Sequence, residues 1–372
     1  MIETSASNAP SLHLATRAAS QRLRDWLLQG PAQLREGPDA GAVAGSLDEL
    51  GRAKYAYAEI TGYYLHWLAE LSADGVDSRA AKAAQAALDW FCRACGKGHL
   101  PATRIAQFDN SPDWRNDAQF CFDFGMLVNG VVSAMQQGLA RDVEQYDAIL
   151  DALDHVIAAL QKHAQADGLQ AALPLTDHEL PERWSTRGGA FLAKPAVRIL
   201  HSARLRPVPD DLDRACQREI ERCTADAALA ERPSLLHPLL YAAEGLAWAA
   251  PERAADIAAM LNHGLDRADA DGRLPEDAQG DTGPRNDVAA QALRLGVWLF
   301  VHAPAHAPNP QSMERLAELV AAEIRADGSI PFRPHGGAGD TNIWCALFAE
   351  QALRWWLALQ DGKATARAEF LV

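Results

Sequence analysis

Nowhere in the 372-residue sequence do about 20 apolar residues run together, so no membrane-spanning helix is expected. Lysine and arginine never cluster. There are 35 of them against 49 acidic residues, a formal net charge of -14, which argues against nucleic acid, whose phosphates demand a basic face. The opening stretch, MIETSASNAPSLHLATRAASQRLRDW, has no basic segment followed by an apolar core. No secretory leader is therefore expected, and the expected location is the cytoplasm. Among the six cysteines, Cys92 and Cys95 form a CxxC, yet no second pair or histidine cluster stands at zinc spacing. The thiols read as reduced packing groups, and neither a metal nor another cofactor is expected. The Gly-rich segment around His335 has no G-x-S-x-G to accompany it, which excludes the usual serine-hydrolase arrangement.

Strand-like alternation is nearly absent as well, whereas apolar residues recur at helical spacing almost everywhere. The fold class expected is all-α. Clusters of Gly, Pro and Asp cut the chain into twelve helices, near 11–29, 47–73, 78–95, 115–139, 141–165, 184–205, 210–227, 232–250, 252–268, 283–303, 311–326 and 340–360, with residues 1–10 as a flexible tail. Taken in pairs they make six hairpins, each an amphipathic helix followed by a more apolar one. Asp-Gly turns support the pairing: Asp271 and Asp327 stand about 56 residues apart, and Asp167 and Asp271 about 104, close to two such units. Six stacked hairpins can close into an (α/α)6 toroid, a single domain over 1–372. The apolar second helix of each pair would form its inner wall, and the long loops before those helices would line a central funnel.

Polar residues gathered at the inner-helix N-termini would face that funnel. The second helix offers Tyr55, Glu59 and Tyr63, the fourth Asn116, Asp117 and Asp123, and the sixth Arg183, Trp184 and Arg187. His237, Tyr241 and Glu244 come from the eighth, Arg285, Asn286 and Asp287 from the tenth, and Asp340, Asn342 and Trp344 from the last, with Arg333 and His335 in the loop before it. The sharpest set is HPLLYAAEG, where His237, Tyr241 and Glu244 at i, i+4 and i+7 share one stripe of an otherwise apolar helix. An imidazole, a phenol and a carboxylate there could supply a general acid, a general base and an orienting group. The same stripe also reads as a hydrogen-bonded seam between buried helices. Glu59 among tyrosines suits a ring-shaped ligand or an aromatic core. Asp287 and Asp340 could pair with Glu244 as the two carboxylates of a glycosidase, or could simply cap helix starts. Arg187 could clamp an anion bidentately or neutralise a neighbouring acid.

The segments AEITGYYL, FDFGMLVNGVVSAM, STRGGAFLAK and LHPLLYAAEGL resemble, in that order, inner helices of α/α-toroid proteins, and the chain is most similar to the VpsJ-like proteins of polysaccharide biosynthesis loci. The resemblance implies an (α/α)6 barrel related to glycosidases, polysaccharide lyases, sugar epimerases and terpene cyclases, and the fold does not choose among them. The expected function is a carbohydrate-active enzyme of hydrolase or lyase type. Its catalytic residues would be Glu244, His237, Tyr241, Asp287 and Asp340, with Glu59, Tyr63, Asp117, Trp184, Arg187, Arg285, Asn286, Arg333, His335, Asn342 and Trp344 holding a small-molecule or glycan substrate. Two alternatives stand beside it. One is a terpene cyclase or prenyltransferase using the ten tryptophans to stabilise carbocations, although neither DxDD nor DDxxD occurs. The other is a non-catalytic binding or scaffolding toroid. Nothing in the sequence fixes the oligomeric state.

Overall fold

The structure is a computed structural model that describes residues 9–98, 100–107, 113–177, 179–230, 235–277, 282–363 and 366–372. Residues 1–8 of the expected tail and 232–234 of the expected eighth helix lie outside them. The chain divides into two compact units interleaved in sequence. One comprises Met1–Gly30, Asp48–Gly51 and Ala225–Leu371, the other Pro31–Leu47, Arg52–Thr224 and Val372. The first unit holds α1 (Ala9–Gln29), then α9 (Ala225–Ala230), α10 (Leu236–Ala249), α11 (Ala254–Leu265), α12 (Asn286–His302), α13 (Pro310–Ala322) and α14 (Ile343–Gln360). Between them in sequence, the second unit holds β1 (Tyr55–Tyr57), α2 (Ala58–Ala73), α3 (Ala80–Cys95), β2 (Arg104–Ala106), β3 (Ala118–Phe120), α4 (Cys121–Gln136), α5 (Val143–Gln161), β4 (Ala164–Gln165), β5 (Gly168–Leu169), β6 (Ala172–Pro174), α6 (Trp184–Arg187), α7 (Ala193–His201) and α8 (Asp210–Arg222).

Helix burial follows the expected division of labour. In the first unit α10, α12 and α14 pack side by side, and α11, α13 and α1 lie behind them. α12 is buried continuously from Asn286 through Leu299. By contrast, α13 buries only Met313, Leu316, Ala317 and Val320, one stripe at helical spacing, and leaves its other face to water. In the second unit α2, α4 and α7 are the inner row, backed by α3, α5 and α8. α8 again buries a single stripe, Leu212, Ala215, Cys216 and Glu219, and its first turn carries Asp210, Asp211 and Asp213 where the helix dipole favours acids. Local signals set the ends. Pro310 opens α13 behind an Asn309 cap whose Oδ1 accepts from Gln311 N at 2.8 Å, and Asp142 caps α5 by accepting from Gln145 N at 2.8 Å.

Expected helix 210–227 is two, α8 and α9, parted at the extended Cys223, and three of the expected inner helices also differ from those observed. Helix 47–73 begins only at Ala58, because residues before it are extended: Tyr55 faces Ala106 and Tyr57 faces Arg104 in an antiparallel β1–β2 pair. Helix 115–139 likewise begins at Cys121, after β3 has paired with β6. Helix 184–205 is interrupted, since Gly188 and Gly189 sit at φ 82° and 152°, outside any helix, and the chain resumes helical geometry only through a 3₁₀ turn at Ala190–Leu192 into α7. In the first unit the lead-ins are single bridges, Leu235 with Asp277 before α10, Pro275 with Pro284 before α12, and Pro331 with Thr341 before α14. These pairings are too short to carry the period-2 pattern by which strands are read. They hold the first turn of each inner helix in place, and that is where most candidate site residues stand. No helix among the described residues is long and apolar enough to cross a membrane.

In the second unit two glycines set how close the inner helices come. A Cβ on Gly130 would collide with the Gly62 carbonyl, and one on Gly62 with the Met126 carbonyl, so α2 and α4 meet backbone to backbone. Gly130→Ala must therefore separate them and should cost about 1–3 kcal/mol or more. Gly337, whose added Cβ would meet nothing within 4 Å, is the control. Thermal unfolding checks this: the melting temperature should drop for Gly130→Ala and hardly move for Gly337→Ala.

Candidate active site

In the first unit, three inner helices carry matched stripes at i, i+4 and i+7: His237, Tyr241 and Glu244 on α10, Asp287, Gln291 and Arg294 on α12, and Trp344, Phe348 and Gln351 on α14. They meet layer by layer. At the N-terminal end, His237 Nδ1 lies 2.6 Å from Gln291 Oε1 and 3.5 Å from Asp287 Oδ2. Trp344 Nε1 donates to the same Asp287 oxygen at 3.1 Å. Arg285 grips Asp287 with two bonds, Nε to Oδ1 at 2.9 Å and Nη2 to Oδ2 at 2.5 Å, and gives Nη1 to Glu276 at 2.9 Å. In the middle layer the Tyr241 ring stands 4.3 Å from that of His237 and 6.3 Å from Phe348, edge to face with the latter. At the far end Arg294 donates to Glu244 at 2.5 Å and to Gln351 at 3.1 Å, with its guanidinium 4.0 Å from the Phe348 ring centre.

Charge follows from this packing. Burial drives the His237 imidazole down to about 4, a change that the Asp287 carboxylate opposes and the Arg285 guanidinium reinforces, so the ring is neutral at neutral pH. Its contact with Asp287 is then a neutral imidazole beside a carboxylate rather than an ion pair. With Gln291 Oε1 as acceptor, Nδ1 carries the proton and Nε2 is the basic nitrogen. Burial raises the Asp287 carboxyl, but the charge of Arg285, with the hydrogen bonds from Arg285 and Trp344, outweighs it, and the net direction is below the ordinary value. The three stripes differ in what remains open. Asp287, Glu244 and Arg294 side chains have 0% exposure, whereas His237 keeps 8% and Trp344 is half-buried.

The other expected residues of this unit are occupied locally. Asn286 Nδ2 donates to Pro331 O at 3.0 Å, and Asn342 Oδ1 caps α14 by accepting from Cys345 N at 3.3 Å. Asp340 Oδ2 accepts from Arg333 N at 2.8 Å, which ties the loop to itself. Arg333 is exposed, 3.6 Å from Glu276. His335 is exposed at a positive φ of 58°, its backbone N–H held by Glu323 at 2.9 Å and its Nε2 3.1 Å from Arg273.

In the second unit, Glu59 and Asp123 are buried in the first turns of α2 and α4. Tyr63, one turn further along α2, has the Lys194 ammonium 4.7 Å from its ring centre. Tyr55 lies under Arg104 at 3.8 Å. Asp117 is exposed at the end of a 3₁₀ turn, Trp114–Asp117. Trp184 is exposed at 38% with its ring edge-on to Phe191 at 5.0 Å, and Arg187 pairs with Glu182 at 3.0 Å on the surface. Sequence reading missed Gln291, Arg294 and Gln351 here, and Tyr57, Thr103 and Arg104 in the second unit. A signal existed for the first three: polar residues inside apolar runs, at the spacing already noted on α10. Among the described residues no group of three His, Cys, Asp or Glu is placed to hold a metal ion.

No protein-family model matches the chain, and no curated protein does. Solved structures do. A cellobiose 2-epimerase from Spirochaeta thermophila matches at a TM-score of 0.64 with 14% identity, over 94% of this chain and 99% of that one. A D-mannose isomerase matches at 0.68 with 10% identity, over 94% and 99%. A glycosidase variant in complex with glucose matches at 0.57 with 15% identity, over 97% and 100%. At such identities the likeness shows the fold: this is an all-α chain of the α/α-toroid class to which these sugar-processing proteins belong.

Two predictions follow from the packing. Glu244→Ala leaves the Arg294 guanidinium buried without its carboxylate, and should cost about 3–5 kcal/mol, read as a fall in the urea midpoint, while a joint Glu244→Leu, Arg294→Met replacement should recover much of it. For His237, the unfolded chain takes up a proton that the folded chain refuses between its two pKa values. Stability should therefore rise with pH from about 4 to about 6.5, with about 3 kcal/mol assigned to this ring. His237→Gln should flatten that part of the stability curve in urea titrations at pH 4.5 and 7; an unchanged slope would contradict the neutral buried imidazole.

Proposed function

We propose that the chain is a carbohydrate-active enzyme whose acid–base chemistry is centred on His237, with Asp287, Gln291 and Arg285 as its positioning groups and Trp344 beside them as a sugar-facing wall. The observation that carries this reading is the difference in exposure within one polar cluster. His237 keeps contact with solvent, while Asp287 behind it and Glu244 at the far end have none. A neutral imidazole fixed with Nδ1 as donor can take a proton on Nε2 and return it. That suits removal of a carbon-bound proton next to the carbonyl of an open-chain sugar and its return to the same or the neighbouring carbon, the net chemistry of epimerisation or isomerisation. The epimerase and isomerase among the similar structures support this assignment by fold.

Hydrolysis or elimination by paired carboxylates is the second reading, and the glycosidase likeness favours it. It asks Glu244 or Asp287 to act as acid or base, and both are engaged by arginines, which is why proton transfer at His237 ranks first. The similarity of four sequence segments to VpsJ-like proteins supports a glycan or a polysaccharide precursor as the substrate pool.

The test is incubation with reducing sugars, mannose, glucose and cellobiose, in deuterated water. Deuterium should enter the sugar carbon next to the carbonyl, and His237→Asn should lower the rate by about 10²–10⁴-fold. kcat/KM should be flat at neutral pH and fall as pH drops through about 4, where the imidazole protonates. Release of a new reducing end without carbon-bound exchange would sink the proton-transfer reading in favour of hydrolysis.

A further inference from the structure

In the first unit, the loop between α13 and α14 is tied down on both sides of Arg333. Phe332 N donates to Asp340 O at 2.7 Å, Arg333 N to Asp340 Oδ2 at 2.8 Å, and Gly336 N to Arg333 O at 2.9 Å. Arg325 pins the next stretch by donating to Gly336 O at 2.7 Å and Gly337 O at 2.6 Å. Asn286, the first residue of α12, joins the loop to the candidate site: its N–H donates to Phe332 O and its side-chain amide to Pro331 O, both at 3.0 Å. The backbone of Arg333 is therefore held in place, and its side chain is not.

That side chain is 56% exposed, and Glu276 Oε2 stands 3.6 Å from its Nη2, beyond hydrogen-bond distance. Among the described residues the guanidinium makes no hydrogen bond. Glu276 competes little for it, because its Oε1 already accepts from Arg285 Nη1 at 2.9 Å. Neighbouring cations are committed. Arg285 is buried between Asp287 and Glu276, and Arg273 Nη2 lies 3.5 Å from Glu323 and 3.1 Å from His335 Nε2. Position matters as much as freedom. Phe332, whose ring centre is 5.7 Å from the Arg333 guanidinium, packs edge to face on Trp344 at 5.7 Å, and Trp344 Nε1 donates to the Asp287 carboxylate beside His237. Along this line of contacts the half-buried pair of Phe332 and Trp344 separates the imidazole from the guanidinium.

A cation with five N–H donors, open to water and set apart from the proton-transfer group by an aromatic pair, fits an oxyanion at the end of a sugar remote from its carbonyl. A guanidinium matches carboxylate and phosphate alike, through two parallel N–H···O bonds. We infer that Arg333 is a specificity-determining residue that selects sugars carrying a negative charge at the carbon farthest from the carbonyl, either a uronic acid or a terminal sugar phosphate. The inference rests on the proton-transfer reading for placing the carbonyl at His237. The anion contact itself needs no chemistry there.

Mannose, mannose 6-phosphate and mannuronate are the substrates to compare by deuterium exchange. Their reduced forms, mannitol, mannitol 1-phosphate and mannonate, have no carbonyl and are the probes for calorimetric binding. One of the two anionic sugars should exchange with kcat/KM about tenfold or more above mannose at low salt, and which one it is separates a sugar phosphate from a uronic acid. Arg333→Gln should reduce that preference about tenfold, through KM rather than kcat, whereas Arg333→Lys, which keeps the charge but not the fork, should retain part of it. Raising the ionic strength from about 0.01 M to about 0.15 M should shrink the preference in the wild-type chain and not in Arg333→Gln, a response that a merely structural side chain would not give. The inference is overturned if mannose is used as well as both anionic sugars, or if their advantage survives in Arg333→Gln. It is equally overturned if no sugar exchanges and the reduced anions bind no better than mannitol. Exchange on mannose that is lost in His237→Asn, with no anionic preference in the wild-type chain, would sink this inference alone. Reduced anions that bind about tenfold more tightly than mannitol and lose that margin in Arg333→Gln, with no exchange on any sugar, would uphold the anion contact and sink the His237 reading.

Discussion

The buried pair of Glu244 and Arg294 is the interaction on which the first unit's site depends. Two side chains of opposite charge with 0% exposure meet at 2.5 Å, and Arg294 spends a further donor on Gln351 and its flat face on Phe348. Burying a charge is costly unless it is paired and hydrogen-bonded. The pair is satisfied in one register only, with α10, α12 and α14 aligned so that position i+7 of each stripe meets i+7 of the next. That register fixes position i as well. His237, Asp287 and Trp344 converge because Glu244, Arg294 and Gln351 do.

The consequence is a division of roles along a stripe that looks uniform in sequence. Glu244 and His237 share a helix face, yet one is sealed at the foot of the cluster and the other keeps contact with solvent at its head. Asp287 is buried like Glu244 but adjacent to the imidazole, and Arg285 holds it charged. A carboxylate in that place orients the imidazole through its contact with Nδ1, as Gln291 does through its amide oxygen. In the second unit the corresponding constraint is steric. Gly62 and Gly130 let α2 and α4 touch, and this brings the first-turn acids Glu59 and Asp123 near enough to influence each other.

Much of the fold was legible because helical periodicity survives in every long element. The outer helices announce themselves by single buried stripes, as in Met313, Leu316, Ala317 and Val320, and the inner ones by polar residues sunk in apolar runs. The lead-ins to the inner helices were not legible. A bridge such as Pro331 with Thr341 involves one residue on each side, and a three-residue strand such as Tyr55–Tyr57 offers no period to read. Of the site, the His237 stripe is visible by its spacing, whereas Gln291 and Arg294 on α12 lie inside an apolar run and become its partners only once the helices pack. The sequence also contains nothing that says which acid meets an arginine. Glu244, Asp287 and Arg187 all looked equally available, and pairing across helices, a tertiary fact, separates them.

The central claim is that His237 is a neutral imidazole with the proton on Nδ1 and Nε2 as its basic nitrogen. Nitrogen-15 NMR of selectively labelled histidine, with His237→Gln to assign the signal, measures this directly at neutral pH. The account predicts one protonated and one bare ring nitrogen, the protonated one being Nδ1, with a titration only near pH 4. A doubly protonated ring at pH 7, or the proton on Nε2, would contradict it.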